Sequence, residues 1–206
     1  MTALPTLIAV VRADSAPECR TVVRGLRRAG VEAIEVTFTV PSAAELIAEL
    51  AAEGGGLLGA GTVLDAAQCR AAIDAGARFV VSPVTDPAVL AEARRGGVAC
   101  IGGALSPSEV WAAMSAGVDA VKVFPVSSLG GPSYLRALRE PFPTLRAVVS
   151  GGVRPEDVAA YLEAGAQSVC MGGALIDRRA AAAGDVEAVA RHAAAVLSRI
   201  GGPGEA

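Results

Sequence analysis

Short apolar runs rich in valine and isoleucine alternate with longer segments of helical periodicity from one end of this chain to the other. The runs are Leu7–Val11, Ala33–Phe38, Leu57–Ala60, Phe79–Val81, Ala99–Ile101, Ala120–Phe124, Ala147–Ser150 and Ser168–Met171. They are apolar without clean alternation, as expected of parallel strands covered on both faces. Helical patterns lie between them: Glu18–Ala29, Ala43–Ala52, Ala66–Ala75, Pro87–Arg95, Ser108–Ala116 and Pro155–Ala164. Ser15, Ser42, Asp65 and Ser106 stand where N-caps belong, the last with Pro107 at the first helical position. Arg28-Ala29-Gly30-Val31, Asp74-Ala75-Gly76-Ala77, Ser115-Ala116-Gly117-Val118 and Glu163-Ala164-Gly165-Ala166 repeat one ending. Each glycine is the expected left-handed helix stop, and Gly97 adds a fifth within one interval. Eight such units in 206 residues predict an α/β fold, a (β/α)8 TIM barrel forming a single domain over residues 1–206. The alternative, an open doubly wound sheet, wants a glycine fingerprint after its first strand, and Val11-Arg12-Ala13-Asp14 has none. Asp185–Ile200 reads as a closing helix, followed by a glycine-rich tail expected to be flexible.

Composition narrows what such a domain can do. Mean hydropathy is +0.48 and the hydrophobic fraction 52%, which exclude a disordered chain. Much of that score is alanine, and no uncharged apolar stretch approaches the length of a membrane span. The opening Met1-Thr2-Ala3-Leu4-Pro5 lacks a basic n-region and a cleavable apolar segment, so no signal peptide is expected. A net charge of −3 and 3% aromatics argue against a nucleic-acid partner. Cys19, Cys69, Cys100 and Cys170 are dispersed without metal-ligand spacing and read as small core residues in a reducing cytoplasm. The one histidine, His192, falls in an alanine-rich helical segment and reads as a helix-surface residue. Zinc chemistry and a histidine general base are therefore not expected.

Lys122 is the only lysine beside seventeen arginines, and it sits in the apolar run Asp119-Ala120-Val121-Lys122-Val123-Phe124-Pro125. A guanidinium stays protonated in proteins, whereas a desolvated ammonium can lose its proton and act as a nucleophile. The competing reading is a strand lysine held in a structural ion pair or snorkelling to an edge. Glu35 is the other exception, a carboxylate inside Ala33-Ile34-Glu35-Val36-Thr37-Phe38. Burying it costs several kcal/mol unless it is paired, or raises its pKa into the range useful for proton transfer. A structural bridge from Glu35 to Lys122 or Arg12 needs much the same geometry as the catalytic reading. Asp119 reads as a loop or cap residue, Glu32 as solvated, and Trp111, Met114 and Tyr161 as packing on helices.

In a barrel of this kind the active site gathers at the C-terminal ends of the strands. Those ends carry Arg12, then Glu35 and Thr37, then Gly59-Ala60-Gly61-Thr62, Ser82-Pro83 and Gly102-Gly103. Strands 6 to 8 add Lys122, Phe124 and Pro125, then Ser150-Gly151-Gly152, then Gly172-Gly173-Ala174. The last two glycine pairs occupy the loops where barrels bind phosphate through bare backbone amides; their bland reading is that they turn the chain. A lysine nucleophile, one carboxylate of raised pKa and an anion cradle describe Schiff-base carbon–carbon chemistry.

Six stretches carry a resemblance: Ile34-Glu35-Val36-Thr37-Phe38-Thr39-Val40-Pro41, Gly59-Ala60-Gly61-Thr62-Val63-Leu64, Val81-Ser82-Pro83, Val121-Lys122-Val123-Phe124-Pro125, Ser150-Gly151-Gly152-Val153 and Gly172-Gly173-Ala174-Leu175. In order and spacing the chain resembles the bacterial class I 2-keto-3-deoxy-6-phosphogluconate (KDPG) aldolases, often bifunctional as 4-hydroxy-2-oxoglutarate (KHG) aldolases. The resemblance implies that Lys122 forms the Schiff base and Glu35 is the shared acid and base. It implies that Gly61 and Thr62 hold the pyruvyl carboxylate, that Pro83 and Phe124 line the pocket, and that Ser150 bonds a substrate hydroxyl. Gly151, Gly152, Gly172 and Gly173 would take the phosphate. Where some members carry an arginine after the strand 2 glutamate this chain has Thr39, so Arg12 is expected to supply that charge.

Three departures bear on the substrate. Val149-Ser150-Gly151-Gly152 replaces the usual Pro-Thr-Gly-Gly, keeping a hydroxyl. Ala174 replaces the usual serine, removing a charge-assisted hydrogen bond of roughly 1.5–3 kcal/mol. Val126-Ser127-Ser128-Leu129-Gly130-Gly131 replaces a segment that usually begins Ala-Glu. The implied enzyme needs no metal or organic cofactor, acts on a small keto acid and forms a homotrimer. The alternatives are an aldolase for the galactonate-derived epimer, a phosphate-binding barrel isomerase or epimerase using Lys122 electrostatically, and a non-catalytic ligand sensor.

Overall fold

In the computed structural model, which describes residues 4–200, eight parallel strands pair in sequence order and β8 closes back on β1. They are β1 Leu7–Val11, β2 Ala33–Thr37, β3 Leu57–Gly61, β4 Phe79–Val81, β5 Ala99–Ala104, β6 Ala120–Val123, β7 Ala147–Val149 and β8 Ala166–Met171. The chain is a (β/α)8 barrel, as the alternation predicts. Helices α1 Ala16–Arg28, α2 Ala43–Ala52, α3 Ala66–Asp74, α4 Pro87–Arg95, α5 Pro107–Ala116, α6 Pro132–Arg139 and α7 Val158–Glu163 pack outside it. Two more, α8 Arg178–Ala182 and α9 Val186–Ile200, follow β8. None of the described helices is long and apolar enough to cross a membrane. The expected tail falls at residues 201–206, outside the described residues.

The helix boundaries follow their chemistry. Ser15 accepts from the Glu18 amide, Asp65 from Gln68, and Ser106 forms a reciprocal capping box with Glu109. Gly30, Gly76, Gly97, Gly117 and Gly165 all have positive φ, the left-handed geometry that terminates a helix without a Cβ penalty. Ser42 departs from expectation. Its φ of 56° turns the hydroxyl out of reach, and α2 starts with no side-chain cap bond. The segment expected to be one helix from Pro155 begins instead as a 3-10 turn, Pro155–Asp157, before α7. α6 and α8 are additional to the sequence reading.

Two apolar layers result. Between strands and helices lies the larger core, with Val22, Leu26, Leu46, Ile47, Leu50, Leu135 and Leu138 all buried. The smaller layer fills the lower barrel with Ile8, Phe79, Val81, Ile101, Val148 and Cys170. Gly59 gives Phe79 its space, since a Cβ there would stand 2.4 Å from the ring. The four cysteines are free and buried, as expected, and desolvation pushes the Cys19 and Cys100 thiols up to about 12. Two outer side chains depart from their expected roles. Trp111 is 60% exposed and stacks on Phe142, and His192 is half-buried, donating from Nε2 to the Ala174 carbonyl at 3.0 Å.

Candidate active site

Above the apolar layer, β2 and β6 face one another across the barrel, four strands apart in a ring of eight. Long side chains on opposed strands meet near the axis, and here they are Glu35 and Lys122. Lys122 Nζ lies 3.8 Å from Glu35 Oε1, with side-chain exposures of 4% and 0%. Their neighbours are small. A Cβ on Gly61 would stand 2.8 Å from Glu35 Oε1, and Gly103 pairs in register with Lys122. Lys122 Nζ also sits 5.5 Å from the centroid of the Phe124 ring.

The pair is poised rather than saturated. A separation of 3.8 Å is too long for a hydrogen bond, and neither Glu35 oxygen has a hydrogen-bond partner among the described residues. At an effective dielectric near 20, unit charges about 4 Å apart attract by about 4 kcal/mol, the same order as the several kcal/mol lost on desolvation. Desolvation wins at Glu35. Burial raises its pKa above the ordinary carboxylate range against the lowering pull of Lys122 and then Arg12. Such a carboxyl can hold a proton where a solvated one has lost it.

A cavity of about 370 Å³ opens over the lysine at the C-terminal mouth. Of the residues singled out from sequence, Lys122, Arg12, Phe124, Ser150, Gly151, Gly152, Gly172 and Gly173 line it together. Glu35 lies wholly buried beneath them, with Gly61 against its carboxylate. Thr62 and Pro83 are outside the walls of this cavity, on the loops after β3 and β4. Thr62 holds a φ of 55°, a left-handed conformation rare for a β-branched residue and a local strain of the kind found at functional sites.

The two glycine pairs are built differently. Gly151 and Gly152 have φ of 91° and 74°, and Cβ atoms there would strike Pro125 and the Ser127 hydroxyl. Ser127 in turn donates to the Gly151 carbonyl at 2.5 Å, so the unusual segment after β6 buttresses this turn. Gly173 has neither reason to be glycine. Its φ is not positive, and a Cβ would meet nothing within 4 Å. A bare backbone facing open cavity, with no packing demand, is what close approach of an anion requires.

A family profile described as KDPG and KHG aldolase matches residues 2–192. The chain belongs to the KDPG and KHG aldolase family. Members of this family are carbon–carbon lyases. The 2-dehydro-3-deoxy-phosphogluconate aldolase of Treponema pallidum is 36% identical over 196 residues, covering 95% of this chain and 93% of its own. A probable 2-dehydro-3-deoxy-6-phosphogalactonate aldolase of Rhizobium meliloti is 38% identical over 183 residues, 87% of this chain and 85% of its own. The KDPG aldolase of Legionella pneumophila, solved with pyruvate captured at low pH as a covalent carbinolamine intermediate, superposes with a TM-score of 0.85. That pair shares 26% identity over 94% of this chain and 95% of the other.

Several residues of this aldolase's cavity escaped sequence reasoning: Val10, Glu18, Cys170, Arg154 and Arg178 among them. Val10 and Cys170 belong to apolar runs and carry no polar signal. Glu18 is occupied locally, accepting from the Asp14 amide at 3.0 Å. The two arginines follow the glycine pairs by two and five residues, and that position was the available signal. Among the described residues, no group of three or more His, Cys, Asp or Glu could hold a metal ion.

Proposed function

We propose that this aldolase works through a Schiff base on Lys122. It cleaves a 2-keto-3-deoxy-6-phospho sugar acid such as KDPG to pyruvate and glyceraldehyde 3-phosphate, and KHG to pyruvate and glyoxylate. The observation that carries this reading is a buried amine on the wall of the mouth cavity, 3.8 Å from a carboxylate that is buried beneath it with no hydrogen-bond partner among the described residues. The uncharged amine adds to the C2 ketone, and loss of water leaves an iminium. Glu35, directly or through a water, takes the C4 hydroxyl proton, and the C3–C4 electrons pass into the iminium as an enamine. The aldehyde leaves, Glu35 returns its proton to C3, and water hydrolyses the new iminium to free pyruvate and the amine. Arg12 and Gly61 would hold the carboxylate, Phe124 shapes the pocket and Ser150 bonds a hydroxyl, while Thr62 and Pro83 contribute only from the loops after β3 and β4, outside the cavity walls. Gly151, Gly152, Gly172 and Gly173 offer backbone amides to the phosphate. No metal or organic cofactor enters these steps.

Borohydride added with pyruvate should reduce the iminium and add mass to the peptide carrying Lys122. Folded protein without that adduct would reject the mechanism and favour an isomerase or a ligand sensor. Lys122→Arg keeps the cation and removes the nucleophile, so turnover should fall by at least about 10³-fold. Residual cleavage near the wild-type rate would assign Lys122 an electrostatic role. The relatives include aldolases named for the gluconate-derived and the galactonate-derived phosphates, so both epimers belong in the first assay. The reading places the enzyme in the cytoplasm, in keeping with four buried free thiols, as a homotrimer without nucleic-acid or membrane partners.

A further inference from the structure

Two cations of the cavity, Arg154 and Arg178, have no task in these steps, and only Arg178 is uncommitted. Arg178 is the first residue of α8 and lines the same cavity as Lys122, Ser150 and Gly173. The segment around it is held at two points. Asp177 accepts from the Arg179 and Ala180 amides at 2.9 and 3.0 Å, and His192 donates to the Ala174 carbonyl at 3.0 Å. Its guanidinium makes no ion pair or hydrogen bond among the described residues. Arg154, also on the cavity wall, is already committed. Asp157 takes it at 2.8 and 3.0 Å, and Glu156 lies at 3.6 Å. A guanidinium neutralised by carboxylates attracts a further anion weakly, whereas an unpaired one keeps its charge and its planar fork. Between Gly173 and Arg178 the wall also carries Ala174, which has no polar atom to offer from its side chain.

We propose that Arg178 is the specificity-determining contact for a phosphate ester at the far end of the substrate, supplying the interaction that the methyl of Ala174 cannot. The inference rests on the aldolase reading and extends it. It makes the preferred substrates six-carbon 2-keto-3-deoxy acids phosphorylated at C6, above KHG, whose second carboxylate sits directly on C4. The expected signature is a binding defect that depends on the phosphate. Arg178→Ala should lower kcat/KM for KDPG about 10–100-fold, nearly all of it in KM, and change KHG cleavage less than about twofold. Arg178→Lys should recover part of the loss, and adding Ala174→Ser to Arg178→Ala should recover part by the other route. An equal loss on both substrates, no loss on either, or a loss confined to kcat would overturn the proposal. Pyruvate trapping at Lys122 separates the two levels. If Arg178→Ala traps pyruvate like wild type while its KM for KDPG is unchanged, only the role of Arg178 fails. If wild type traps none, the aldolase reading fails with it.

Discussion

Glu35 carries a cost that pH should reveal. Its folded pKa lies above the ordinary value of 4.5 because burial penalises the charged form more than Lys122 and Arg12 favour it. Below 4.5 the carboxyl is protonated in both folded and unfolded chains and contributes nothing to pH dependence. Above it the unfolded chain gives up the proton first, so stability is lost as pH rises towards and through the folded pKa. Urea denaturation across that window should show wild type weakening relative to Glu35→Gln as pH rises. In a Lys122→Met background the same loss should continue to a higher pH, because one charge that lowers the folded pKa has gone. A difference that is flat with pH, or that grows in favour of wild type, would mean the carboxylate is well solvated or well paired. Lys122 and Glu35 were legible in the sequence because a charge within an apolar run is rare and has few explanations. Arg178 was not: it is one of seventeen arginines, and only the fold brings it round to the lysine.

At the scale of elements, glycine was the residue most easily misread. The helix stops were plain because a repeated Ala-Gly before a strand has one geometric meaning. Gly102 and Gly103 read from sequence as the end of the fifth strand, and the strand continues one residue further, to Ala104. They are small because neighbours press on them. A Cβ on Gly103 would lie 2.0 Å from the Pro83 backbone, and one on Gly102 would lie 2.7 Å from Thr85 Oγ1. α6 was missed for a related reason. Gly130-Gly131-Pro132 reads as loop, and only Leu135 and Leu138 of the helix are buried. The Gly103 contact gives a sharp expectation. Gly103→Ala must displace backbone, so it should destabilise by about 3 kcal/mol, at or beyond the upper end for overpacking. Gly173→Ala enters open space and should melt within about 0.5 kcal/mol of wild type while weakening binding of the phosphorylated substrate. If the two variants melted alike, the division between packing glycines and binding glycines would be wrong.

For the whole molecule, the side chains left outside the core are as informative as those within it. Large hydrophobics stand exposed at Leu64 and Val84, on the loops after β3 and β4, and at Trp111 in the first half of α5. These elements are consecutive around the barrel, with Leu64 and Val84 on loops at its catalytic end and Trp111 midway along α5. A lone exposed leucine needs no explanation, but an apolar rim widened by a stacked Trp111–Phe142 pair is costly to leave wet. The proposed homotrimer would close through heterologous contacts, and this apolar face offers one side of each. Sedimentation equilibrium should therefore return three times the 20.5 kDa of one chain. Trp111→Glu should shift that mass towards one chain without altering the far-ultraviolet circular dichroism, since the side chain is 60% exposed and outside the core. A wild-type monomer would leave the rim to another partner. A trimer indifferent to Trp111→Glu would move the contact to another face of the barrel.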